Sequence, residues 1–356
     1  MILILIILLG CIAWTGWCWW QILPLPVWGK AVCTGLYISC FLLLFVHYLL
    51  EERMPRPLAV ATYEIGTSWT IFFLYTLLLF AALSLGVLVH LIPEGFLKDS
   101  LPGTCTVAGI LAVLLVCGNL HYRHKYRETI DIQTEKPLPR PLRIVLASDL
   151  HAGYHNRRAE IARWVDLINA EHPDLVLFSG DIIDGSLKAV REDHIEEEFR
   201  RIEAPVYACL GNHEYISGEK GSESFYRDAG IRLLRDSSAV DGGIRILGRD
   251  DRSNPGRAPL SALASPADSL FSILLDHQPY HLEEAEAAGI DFQFSGHTHH
   301  GQVWPANWVT DLMYEKAYGA HRRGHTRYFI SSGLGIWGGK FRIGTRSEYI
   351  VLTLHP

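Results

Sequence analysis

No two of the seven cysteines form a CxxC pair. Six of them (Cys11, Cys18, Cys33, Cys40, Cys105 and Cys117) fall in the first third of the 356 residues. That excludes a disulfide framework and a sulfur-ligated zinc site, and leaves these cysteines as small apolar residues. Only Cys209 lies in the rest of the chain, which fits a reducing compartment. A surplus of positive charge is also lacking: the net charge of −6 argues against general nucleic-acid binding. There is no internal repeat, and no low-complexity tract outside the apolar runs. The amino terminus has no basic n-region and stays apolar too long for a signal peptide, so it reads as a membrane span.

What the chain does have is apolar length. Hydrophobic residues make up 49% of it and the mean hydropathy is +0.14, both high for a soluble protein. The average hides a shift near His121. Before it stand four apolar runs, at about 1–20, 32–50, 65–92 and 104–120, each long enough to cross a hydrocarbon core of about 30 Å. Prolines and charges separate them, and Trp17, Trp19, Trp20 and Trp28 cluster at one boundary like an interfacial belt. Arg53 and Arg56 follow the second run, and Arg123, Lys125 and Arg127 follow the fourth. The opposite side holds only Lys30 and Lys98. The positive-inside rule then expects both termini, and everything after the fourth run, in the cytoplasm. Intramembrane charge is nearly absent apart from His47 and His90, which gives no basis for a transport role. Residues 1–122 are thus expected to form a transmembrane domain of four helices. Residues 123–142, with Pro137, Pro139 and Pro141, are expected to be a linker, and 143–356 a globular domain.

After the linker an α/β pattern begins. The stretch 144–151 starts as a buried strand and ends in Asp149-Leu150-His151. Side chains two apart on a strand point the same way, so both could reach one ion at a strand's carboxyl end. Apolar positions at Ile161, Trp164, Val165 and Ile168 predict a helix, and 187–202 reads as a solvated helix face. Further strands are expected at 174–179, 205–210, 271–275, 292–294, 328–330 and 348–354. A pair at 231–234 and 244–247 is expected to turn at Asp241-Gly242-Gly243. The polar residues at these strand ends are Asp149, His151, Asp181, Asn212, His277, His297 and His299. All are oxygen or nitrogen ligands, and each follows an apolar run or stands beside a glycine. Five such segments in series point to a metal site. Imidazole with carboxylate suits manganese, the first choice, and also iron, zinc or nickel.

Asp149-x-His151, Gly180-Asp181-x-x-Asp184, Gly211-Asn212-His213-Glu214, His277 and Gly296-His297-x-His299 resemble, in order, the motifs of the calcineurin-like metallophosphoesterases. The chain is similar to their membrane-associated bacterial branch. The resemblance implies an α/β fold, a four-layer β-sandwich flanked by helices, here preceded by four transmembrane α-helices. It implies two divalent ions. Asp149, His151, Asp181 and His299 would hold one; Asp181, Asn212, His277 and His297 would hold the other, with Asp181 bridging. It makes His213 the residue facing the leaving group, oriented by Asp184. Four positive charges against two carboxylates leave a surplus that attracts an anionic phosphate ester.

Weaker features are read blandly or left open. His155 is expected at the surface, and Asp250 and Asp251 in a turn. The glycine-rich stretch 333–339 either lines the pocket or simply turns. Arg322, Arg323, His325 and Arg327 form a basic loop, and His300 and Gln302 extend the last motif. The aromatic-rich insertion 303–318 either approaches a bilayer or packs on the core. The expected activity is phosphoester or pyrophosphate hydrolysis at the cytoplasmic face of the inner membrane. The expected substrate is lipid-linked, a phospholipid or, by resemblance, a UDP-diacylglucosamine-like molecule. Two alternatives stay open: a soluble phosphodiester or nucleotide pyrophosphate as substrate, or a sensor that binds without turnover.

Overall fold

The computed structural model describes residues 2–264 and 269–356. It divides into two compact units: Met1–Leu120 with Gly338–Phe341, and His121–Trp337 with Arg342–Pro356. The first contains α1 (Ile2–Ile22), α2 (Val27–Leu50), α3 (Arg56–Leu88) and α4 (Leu101–Arg123), all long and apolar enough to cross a membrane. Pro55 precedes α3 and Pro57 sits in its first turn, where a missing N–H costs nothing. With 33 residues, α3 is about 50 Å long and outreaches the hydrocarbon core. It starts well before residue 65, where the apolar run was expected to begin, and so includes Glu64. A Cβ on Gly66 would lie 2.8 Å from the Leu44 backbone nitrogen, so this glycine lets α2 and α3 approach closely. Ile12, Tyr37, Trp69 and Phe73 form the centre of the unit, while most leucines and isoleucines face outward. His47 is not a lone intramembrane histidine: its ring contacts Thr62 at 3.2 Å and Glu51 at 3.4 Å.

The second unit begins with β1 (Lys125–Gln133), then β2 (Leu142–Ala147), α5 (Arg158–Ala170), β3 (Leu175–Ser179), α6 (Leu187–Glu192), α7 (Ile195–Phe199), β4 (Val206–Cys209), α8 (Asn212–Ile216) and α9 (Glu219–Asp228). It continues with β5 (Arg232–Leu233), β6 (Ser237–Asp241), β7 (Ile244–Gly248), β8 (Phe271–Leu275), α10 (Leu282–Ala287), β9 (Phe292–Ser295), α11 (Ala306–Met313), β10 (Gly319–Arg323), β11 (Thr326–Ile330) and β12 (Ser347–His355). Two six-stranded sheets result, ordered β1-β12-β2-β3-β4-β5 and β10-β11-β9-β8-β7-β6. Along β2, Ile144 and Leu146 face the core between the sheets, and Val145 and Ala147 face the helices. α5, α7 and α9 cover one sheet with Ile161, Trp164, Phe199 and Phe225. α10 covers part of the other with Leu282 and Ala285. Four layers follow, and burial on both faces explains why these strands read as unbroken apolar runs.

Three expectations are corrected. The presumed linker opens with β1, a nine-residue edge strand parallel to β12. The strand paired with β7 is β6, beginning at Ser237, while Arg232–Leu233 joins the other sheet beside β4. The charged run at 187–202 breaks into α6 and α7, with His194 in a left-handed conformation between them (φ 51°).

β1 is anchored by charge. Glu171 accepts hydrogen bonds from Arg127 at 2.7 Å, Arg143 at 2.6 Å and the Tyr349 hydroxyl at 3.0 Å. Burial works to raise this carboxyl, but the two guanidiniums and the hydroxyl outweigh it and hold it at about 2, against an ordinary 4.5. The folded carboxyl therefore stays ionised where an unfolded one takes up a proton, so stability is present above pH 4.5 and lost as pH falls toward 2. Glu171→Gln should flatten that limb of a thermal-midpoint-against-pH curve. An unchanged slope would show that the cluster does not contribute.

Candidate metal centre

Past β2, β3, β4, β8 and β9, the candidate ligands Asp149, Asp181, Asn212, His277 and His297 each stand two or three residues beyond the strand's end. The loops converge at one rim of the sandwich, where open α/β sheets place their sites. Asp149 and His151 are not on a strand, as the alternation argument expected, because β2 ends at Ala147. Their loop runs beside the next, with Asp149 N bonded to Gly180 O at 3.2 Å and His151 N to Asp181 O at 3.0 Å. The same-side placement comes instead from left-handed backbone at Asp149 (φ 54°) and His151 (φ 48°). Asp181, His297 and His299 share that conformation, which costs a non-glycine residue about 1–2 kcal/mol each. Strain collected on five candidate ligands marks a functional site. Glycine clears the space: a Cβ on Gly211 would sit 2.2 Å from Asp181 Oδ1, and one on Gly296 2.2 Å from Asp149 Oδ2.

All seven side chains come together. His151 Nε2 lies 3.0 Å from His299 Nε2, 3.9 Å from Asp149 Oδ1 and 3.7 Å from Asp181 Oδ2. His299 Nε2 is 3.3 Å from Asp149 Oδ1. On the other side, His277 Nε2 is 3.1 Å from Asp181 Oδ2, and His297 Nδ1 is 2.8 Å from Asn212 Oδ1. Asp181 Oδ2 is common to both groups. Ligands bonded to one ion at about 2.1 Å stand roughly 3–3.5 Å apart, close to these spacings.

The donor chemistry also fits divalent cations. The His277 Nδ1–H donates to Ser179 O at 2.7 Å, which leaves Nε2, 3.1 Å from Asp181 Oδ2, as the ring nitrogen that faces the site. The His151 Nδ1–H donates to Asp184 Oδ1 at 3.1 Å, with the same result. Burial lowers His297 to about 4 and pushes His299 well below its ordinary range, which keeps both imidazoles neutral. Burial also works against a proton on His151, but Asp149, Asp184 and Asp181 outweigh it and raise it to about 10. His277 is raised well above its ordinary value because Asp181 and Asp149 outweigh its burial. The pocket demands positive charge at the places where ions would bind.

Comparison with known proteins gives the family. The sequence profile of calcineurin-like phosphoesterases matches residues 142–301. An uncharacterised metallophosphoesterase of Campylobacter jejuni is 30% identical over 255 residues, covering 69% of this chain and 68% of that protein. The chain belongs to the calcineurin-like metallophosphoesterase family. A metallophosphoesterase of Helicobacter pylori is 31% identical, covering 66% of this chain and 65% of its own length. A zebrafish (Danio rerio) transmembrane protein with a metallophosphoesterase domain is 29% identical, covering 73% of this chain and 64% of its own. A 5'-nucleotidase precursor of Thermus thermophilus superposes with a TM-score of 0.39 at 18% identity, over 60% of this chain and 54% of its own. Its family and its four apolar helices make the chain a metal-dependent phosphoesterase of α/β fold with a membrane-helix region at its amino end.

Around the candidate metallophosphoesterase ligands stand residues whose contacts go beyond what the sequence announced. Asp184 touches three histidines. Besides His151, its carboxylate lies 3.4 Å from His213 Nδ1 and 3.6 Å from His155 Nδ1. His155, expected at the surface, is buried, with Nε2 2.5 Å from Ile336 O. Glu214 is fully buried and accepts from four backbone N–H groups: Asp181 (3.0 Å), Ile182 (2.8 Å), Ile183 (3.0 Å) and Gly211 (2.7 Å). It ties the two turns that present Asp181 and Asn212. Arg342 is wholly buried; its guanidinium donates to His299 O at 2.7 Å, to Ser332 O, to Gly335 O at 3.1 Å and to Ser347 Oγ at 3.2 Å. It fixes the last ligand loop against the glycine stretch, where Leu334 N and Gly335 N bond Ser148 O and Asp149 O.

The other open readings resolve locally. His300 stacks on Tyr318 and lies 3.5 Å from Asp311, and Gln302 donates to Trp337 O. Arg323 pairs with Glu286 and Glu315. Asp250 bonds Tyr215, Arg235 and Asn254, and Asp251 holds Gln278. The insertion forms α11. Its Tyr314 turns inward to the Tyr280 hydroxyl at 3.0 Å and the His297 ring, while Trp308 (59%), Leu312 (88%) and Met313 (62%) are exposed.

Proposed function

We propose that this phosphoesterase hydrolyses a phosphoester or pyrophosphate bond in a lipid-linked substrate at the cytoplasmic face of the inner membrane. One ion belongs to Asp149, His151, Asp181 and His299, and the other to Asp181, Asn212, His277 and His297, with manganese the first candidate. Two divalent ions held there polarise the phosphoryl oxygens and make water a nucleophile at neutral pH. The chain's own part is positional. Asp149 and Asp181 supply the negative charge that draws cations into the pocket, and Asp184 holds the ring of His151. Asp184 also faces Nδ1 of His213, which leaves the opposite ring nitrogen to serve the leaving group. As the new P–O bond to the water oxygen forms, the bond to the leaving oxygen breaks with its electron pair. His213 then supplies that oxygen with a proton.

The observation that carries the lipid reading is the outward face of α11. Trp304, Trp308, Val309, Leu312 and Met313 are exposed within fifteen residues of His299, in a chain with four membrane-length helices. Orientation is supported by Arg53, Arg56, Arg123, Lys125 and Arg127. The test compares the purified full chain, loaded with manganese, on phospholipid and lipid-diphosphate substrates in mixed micelles and on a soluble chromogenic phosphodiester. Leu312→Glu combined with Trp308→Glu should lower the lipid rate about tenfold relative to the soluble rate, read at subsaturating substrate. An unchanged ratio, or turnover of soluble diesters alone, contradicts the lipid reading.

A further inference from the structure

The first unit is more than an anchor. A cavity of about 690 Å³ opens among its helices, within the size range of sites that take small molecules. Its wall is nearly all apolar, with Trp19 of α1, Tyr37 of α2 and Trp69 and Phe72 of α3 contributing aromatic surface. Two polar side chains interrupt it: Glu64 and, one helical turn further along α3, Ser68. Residues four apart share a helix face, so the two form one polar end to the cavity.

Glu64 is the unexplained group. It has no hydrogen-bond or ion-pair partner among the described residues. It stands eight residues into α3, about 12 Å along the axis. With Arg53 and Arg56 at the start of α3 as headgroup anchors, Glu64 lies about two helical turns inward of them. From there the cavity continues over Ser68, Trp69 and Phe72, two turns deeper. An unpaired acid at that depth needs a partner. The complementary molecule has a positive, hydrogen-donating head at Glu64 and a hydrocarbon tail along the aromatic wall. A primary ammonium has three donors, enough for the Glu64 carboxylate and the Ser68 hydroxyl together.

We infer that the membrane-spanning unit binds one phospholipid whose headgroup carries a primary amine, the ammonium resting on Glu64 and an acyl chain filling the cavity between α1, α2 and α3. The site is independent of the metal centre and of its substrate. The test uses the full chain in detergent micelles with phosphatidylethanolamine or phosphatidylglycerol carrying a photoreactive group on the acyl chain, and maps crosslinks by peptide mass spectrometry. Phosphatidylethanolamine should label the α3 peptide that contains Trp69 and Phe72, with about tenfold preference over phosphatidylglycerol. Glu64→Gln should abolish the preference. Ser68→Trp, which fills the cavity with Glu64 intact, should abolish the labelling itself. Hydrolysis of a soluble phosphodiester by both variants should match wild type. Equal labelling by the two lipids overturns the inference and describes an ordinary annular contact. Retained labelling in Ser68→Trp overturns it too, as does a crosslink between two copies of the chain through these peptides.

Discussion

Asp181→Asn should reduce phosphodiester hydrolysis by about a thousandfold or more, the equivalent of losing roughly 4 kcal/mol of transition-state stabilisation. The shape is unchanged and the fold should survive, because the asparagine oxygen can still accept from His213 N, which lies 2.8 Å from Asp181 Oδ1. What is lost is Oδ2, the oxygen 3.7 Å from His151 Nε2 and 3.1 Å from His277 Nε2. An amide nitrogen there has no lone pair and carries no charge, so neither ion is properly held. Bound metal per chain should fall from two to one or none, with little change in the thermal midpoint. Activity within tenfold of wild type would remove Asp181 from the centre of the chemistry.

Glu214→Gln should act through stability and only then through metal. The carboxylate offers Oε1 to the N–H groups of Ile182 and Ile183, and Oε2 to those of Asp181 and Gly211. Glutamine keeps one accepting oxygen and turns an NH2 toward the other pair. Two buried N–H groups left unsatisfied cost about 1–3 kcal/mol each, so a loss of about 2–6 kcal/mol is expected, a large part of a domain's usual margin. The turns carrying Asp181 and Asn212 should loosen together, lowering metal affinity even where the chain stays folded. Denaturant unfolding of the metal-free protein measures the first effect and metal titration the second. A stability change below about 0.5 kcal/mol would mean that the turns hold themselves.

The convergence of the candidate ligands was legible because chemistry and position coincide in them. Each follows a strand buried on both faces, and such strands announce themselves as short apolar runs. The left-handed turns that aim Asp149, His151 and His299 have no comparable signal, since aspartate and histidine at those positions give no sign of positive φ. Glu214 stood inside a recognised motif, yet its partners are backbone N–H groups, which every residue has. Arg342 was invisible for the same reason: most of its partners are carbonyls. β1 passed for a linker because an edge strand with one face to solvent keeps charged side chains such as Arg127 and Asp131. The early start of α3 was masked by Thr62, Tyr63 and Glu64, polar residues that lower the hydropathy of what is still a helix. His155 looked like a surface residue until Asp184, 29 positions away, came within 3.6 Å.

The most direct test is anomalous scattering from crystals of the full chain grown with manganese. Two peaks are expected about 3.5–4 Å apart. One should lie among Asp149, His151 and His299, the other among Asn212, His277 and His297, with a carboxylate oxygen of Asp181 touching both. A single peak at saturating metal, or peaks that Asp181 does not join, would contradict a two-ion centre.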